Sequence, residues 1–158
     1  MGLNRSHMVY PSPDYHVTLD GDHYRETPKW FEAMAKLGRL YVAGGSWKEL
    51  TPQAHILPIR KDVEFSTDLG LGVVTELHGV GSVFYAALQV AYCLGYRTVY
   101  ALGLDLQGGH FDGSPASPWV FRQNQLWKYI PADLKVWTCG SPESKATFPK
   151  VGFDAVCA

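Results

Sequence analysis

"GVGSVFYAALQVAYCLGYRTVYALGLDL", residues 79–106, is the stretch that decides the fold. From Gly79 to Gly95 apolar residues occupy nearly every helical face, which predicts a helix buried against a sheet. "RTVYALGL" (97–104) follows as a near-continuous β-branched and aromatic run, the pattern of an inner parallel strand. The chain then opens into "GLDLQGGHFDG" (103–113), a polar, glycine-rich turn carrying Asp105, His110 and Asp112. A carboxylate and an imidazole at the exit of a buried strand need a reason, and binding is the obvious one.

Working outward from this segment, strands keep alternating with helices. "YHVTL" (15–19) lies between "PSPD" and "DGD" and reads as a strand between turns. "TPKWFEAMAKLG" (27–38) offers Thr27 as N-cap, Pro28 at the first helical position and Gly38 as the stop. "RLYVAG" (39–44) is a strand, and "HILPI" (55–59) is a second whose Pro58 marks an edge or an end. "SPWVFRQNQLWKYI" (117–130) reads as a helix, "KVWTCG" (135–140) as the last strand, and "FPKVGFDAVC" (148–157) as a short closing segment. The expectation is one domain over residues 1–158: an α/β, mostly parallel, doubly wound (Rossmann-like) sheet with helices on both faces.

Composition fits that expectation and removes other classes. The chain has 158 residues, is 46% hydrophobic and carries a formal net charge of −1, so no basic excess points to nucleic acid or an anionic membrane. No apolar run is long enough for a membrane span, and no signal peptide opens the chain. Cys93, Cys139 and Cys157 form neither a close pair nor a zinc spacing, so a reduced, cytoplasmic chain is expected. No G-x-S-x-G, H-E-x-x-H, P-loop or dinucleotide fingerprint occurs. No cofactor and no metal centre are expected.

Candidate chemistry collects beyond the strands. In "HGVGS" (78–82), Gly79 and Gly81 permit close backbone approach, Ser82 offers a hydroxyl, and the helix start supplies free N–H groups for a phosphate. The alternative is an ordinary loop with Ser82 as N-cap. Asp105 could bind a sugar hydroxyl and His110 could deprotonate an acceptor, or Asp105 could cap a turn beside an exposed histidine. "DGDHY" (20–24) could hold a metal with Asp20, Asp22 and His23, though "DG" is foremost a turn signal. His7, His16 and His55 are scattered with no common spacing, and Trp30, Tyr85 and Trp127 read as core.

Residues 79–106 resemble the central segment of the bacterial family 42 sialyltransferases and the related Maf-type and lipopolysaccharide-biosynthesis glycosyltransferase-like domains. There a small-residue turn leads to a helix ending A-x-x-L-G-Y/F-[KR], a strand, then G-[IVL]-D. "LKVWTCGSPESKATFPKV" is similar to the family's N/T-C-S-P-x-S-x-x-x-x-F-P segment, and "GLNRSH" and "PDYHVTLD" to its G-x-N-[RQ] and P-D-Y-x-V-x-x-[DN] segments. The resemblance implies a transferase for a nucleotide-activated sugar, CMP-linked in the sialyltransferases, in surface-polysaccharide or flagellin glycan assembly. It places Asn4, Asp20, Gly81 and Ser82 at the nucleotide-sugar site, with an unidentified glycan or protein acceptor. Gly79 joins them by its place in the turn, and Asp105 and His110 are assigned catalysis by position.

Two departures matter. Leu106 and Gln107 stand where the family carries tyrosines that assist the leaving phosphate, and the family's first strand with its G-N/K-G-P-S-L turn has no counterpart before Met1. The expectation is therefore a fragment, a shortened relative, or a site completed by another chain, with an exposed sheet edge favouring a homodimer. Two alternatives stay open: a non-catalytic nucleotide- or partner-binding relative encoded by a phage or mobile element, and a Mg-dependent diphosphotransferase using Asp20, Asp22 and Asp105.

Overall fold

A computed structural model describes residues 1–19, 21–43, 51–60, 64–72, 82–104, 126–140 and 145–156. The chain divides into two compact units, Met1–Cys93 and Leu94–Ala158. Every strand pairing in both is parallel, so the α/β, parallel reading of the sequence holds.

The first unit is built on a four-stranded sheet ordered β1 (Gly2–Leu3), β2 (His16–Thr18), β3 (Leu40–Ala43) and β4 (His55–Leu57). β4 stops one residue before Pro58 and ends the sheet, as a proline that cannot donate to a ladder requires. β2 and β3 are buried at every position, so a layer must cover each face. The register sets His16 beside Leu40 and Thr18 beside Val42 on one face. Helix α2 (Pro28–Lys36) packs there, bringing Phe31, Met34 and Ala35 onto Leu40, Val42 and Ala54. Pro28 opens α2 as expected, but Thr27 makes no side-chain cap bond to it.

Helix α3 (Val83–Cys93) packs against β1 and β2 and buries Tyr85 to Ala91 without a break. Its end is set by Gly95, whose φ of +93° a side chain would resist. Gln89 is the polar exception on this helix and is fully buried. Its Nε2 donates to the Gly72 carbonyl at 2.8 Å and its Oε1 accepts from the Ser66 N–H at 2.9 Å.

β1 was not expected from the sequence. Two residues give no periodicity to read, and the strand exists because Gly2 donates to the Tyr15 carbonyl at 2.8 Å. Gly2 is required by close approach: a Cβ there would lie 2.8 Å from both His16 Nδ1 and Ser6 Oγ. Ser6 Oγ accepts from the Leu3 N–H at 2.7 Å, which removes one donor from the open edge of the sheet.

In the second unit, β5 (Thr98–Leu102) pairs with β6 (Lys135–Cys139) over five residue pairs. The sequence predicts an inner strand at β5. Among the described residues, β5 pairs with β6 alone, and Tyr100 and Leu102 are exposed. Residues 117–125 of the expected helix lie outside the described residues, and Trp127–Tyr129 forms a 3-10 turn.

Candidate functional site

Asn4 follows β1 directly and takes a left-handed backbone, φ 45°. Asparagine tolerates that region because its short side chain can bond locally. Here the bond runs to the neighbouring strand: the Thr18 hydroxyl, at the end of β2, donates to Asn4 Oδ1 at 3.3 Å. Two adjacent parallel strands thus end in one polar pair at their carboxyl edge. Among the described residues nothing accepts from Asn4 Nδ2, so its two N–H donors remain uncommitted.

The 3-10 turn Asn4–Met8 that carries this residue is tied down at three points. Ser6 bonds back to Leu3, the Arg5 Nε donates to Glu26 Oε2 at 3.1 Å, and the buried ring of His7 bonds on both sides. His7 Nδ1 lies 3.1 Å from the Asn4 carbonyl and Nε2 lies 2.8 Å from Thr27 Oγ1. A carbonyl only accepts, so Nδ1 carries the proton. In the neutral ring, Nε2 therefore accepts from the Thr27 hydroxyl. His7 stacks on Trp30 with centroids 4.5 Å apart, and Trp30 Nε1 donates to the Pro11 carbonyl at 2.8 Å.

Beneath this turn His16 is fully buried, edge-on to His7, Trp30 and Phe31, with neither ring nitrogen hydrogen-bonded among the described residues. Burial first, then His7, holds its pKa down at about 3, against a weaker upward pull from the Asn4 backbone. His23, in the one-turn helix α1 (Asp22–Glu26), is also buried.

Ser82 precedes α3, with 8% of its surface exposed. Its Oγ accepts from the Tyr85 N–H at 3.3 Å and its carbonyl from the Ala86 N–H at 3.0 Å. The N-cap expectation holds, and the hydroxyl proton is left to donate. No hydrogen bond joins Asn4 to Ser82 among the described residues, but α3 packs on the two strands that end at Asn4 and Thr18.

No family model, curated protein or solved structure matches the chain.

The other expected site residues, Asp20, Gly79, Gly81, Asp105 and His110, lie outside the described residues. Asp22 pairs with Arg25 at the surface. Among the described residues no group of three or more His, Cys, Asp or Glu is placed to hold a metal ion. No helix among them is long and apolar enough to cross a membrane.

Sequence reasoning passed over His7, His16, Thr18 and Thr27. One signal existed for His16: a titratable ring inside a segment expected to be a buried strand. His7 stands three residues after Asn4, a spacing that matters only once a 3-10 turn is known to connect them.

Proposed function

We propose that the first unit binds a nucleotide-activated sugar at the edge where β1 and β2 end, and that the chain is a glycosyltransferase-like protein of surface-glycan assembly. The observation that carries this reading is Asn4: a left-handed residue at the carboxyl edge of a parallel sheet, braced by Thr18 and presenting an unused amide. Such edges are where open α/β sheets take their ligands, and an amide with two donors suits ribose or phosphate oxygens. The start of α3 adds support, since Ser82 retains a hydroxyl proton and the first turn offers N–H groups to an anion. The resemblance of residues 79–106 to family 42 sialyltransferase-like domains favours CMP over other nucleotides.

Thermal unfolding with millimolar CMP-, UDP- and GDP-sugars tests the reading. A ligand at about a hundred times its Kd stabilises by ~2.7 kcal/mol, enough to move the midpoint by several degrees. At least one donor, CMP-linked first, is expected to do so, and Asn4→Ala should remove most of the shift. No response to any donor overturns the proposal. A response without sugar release or transfer makes the chain a nucleotide-binding relative rather than a transferase.

A further inference from the structure

We infer that His7 is a positioning residue that fixes the backbone of Asn4 and so aims its amide; the inference rests on the nucleotide reading of that edge. A left-handed residue outside glycine is strained and persists only where its surroundings hold it. The Asn4 side chain is committed to Thr18, but that bond constrains the side chain more than the peptide. The peptide is held by His7, whose Nδ1–H donates to the Asn4 carbonyl.

The ring doing this is itself fixed. Its face lies on Trp30, its edge meets Phe31 at 5.2 Å, and its far nitrogen reaches Thr27 at the head of α2. A continuous path therefore runs from the N-terminus of α2 through one imidazole to the residue that would meet the ligand. That path also accounts for Thr27, which occupies an N-cap position yet makes no cap bond.

Two substitutions separate positioning from packing. His7→Phe keeps a flat ring on Trp30 and loses both hydrogen bonds. His7→Asn loses the stack, but its side-chain amide can donate where Nδ1 does. Backbone chemical shifts and the HN–Hα coupling of Asn4, read by NMR on the full chain, report its left-handed geometry directly. The Asn4 signals should leave their left-handed values in His7→Phe and stay near wild type in His7→Asn. Affinity for CMP should follow the same order, falling about tenfold in His7→Phe, as for one lost hydrogen bond, and recovering in His7→Asn.

A packing role reverses the ranking, with His7→Phe closer to wild type in both readouts, and overturns the inference. Unchanged Asn4 signals in His7→Phe do the same. Should the wild-type chain bind no CMP, the nucleotide reading fails, while the Asn4 signals still confirm or overturn the role of His7.

Discussion

His16 shows how one residue can make a fold sensitive to its solvent. Its ring is completely enclosed with no hydrogen bond among the described residues, so the folded chain admits only the neutral form until the pH approaches about 3. The unfolded chain takes up that proton near the ordinary histidine value of about 6.5. Because the folded pKa is depressed, this contribution is complete above about pH 6.5 and is lost as pH falls toward 3. Within that window the loss approaches about 1.4 kcal/mol per pH unit. Urea unfolding measured between pH 7 and pH 4.5 should show the decline, and His16→Leu, which cannot titrate, should flatten it. A His16→Leu profile as steep as wild type would place the acid sensitivity elsewhere. Other groups near His16 act in the same direction: His7, His23 and the N-terminal amine each disfavour a proton on its ring.

Among the elements, α3 depends most on a single polar side chain. Gln89 reaches from its buried face to Ser66 and Gly72 and fastens the 64–72 segment to the helix. Gln89→Leu would keep the volume but leave a backbone donor and an acceptor without partners, at a cost of roughly 2–4 kcal/mol. Chemical denaturation should show that loss, and amide exchange at Ser66 should quicken more than at β3. Equal protection at Ser66 in both proteins would mean that the segment is held by other means. Most elements were legible because their signals are local. The apolar run of α3, the Thr-Pro start and Gly stop of α2, and the proline ending β4 each follow from their own residues. What was not legible depends on chain segments meeting. β1 needs Tyr15, the His7 bridge needs both Asn4 and Thr27, and the Gln89 anchor needs a segment about 20 residues upstream. The exposed face of β5 was hidden for the same reason, since composition alone cannot distinguish a strand paired on both sides from one paired on one.

Taken whole, the molecule has two parallel α/β units, and the proposed site belongs entirely to the first. Asn4, Thr18 and Ser82 all fall within residues 1–93, on or beside β1, β2 and the helix that packs against them. The part of the candidate site legible in the sequence was Asn4 and Ser82. The bracing that makes Asn4 useful was not, because it comes from Thr18 and His7 through space. The most direct measurement is an amide chemical-shift titration of the full chain with a CMP-sugar. The account predicts saturable shifts centred on Asn4 and Thr18, extending to Ser82 and Val83 at the start of α3. Shifts that leave those residues untouched, or no saturable shift at all, would contradict it.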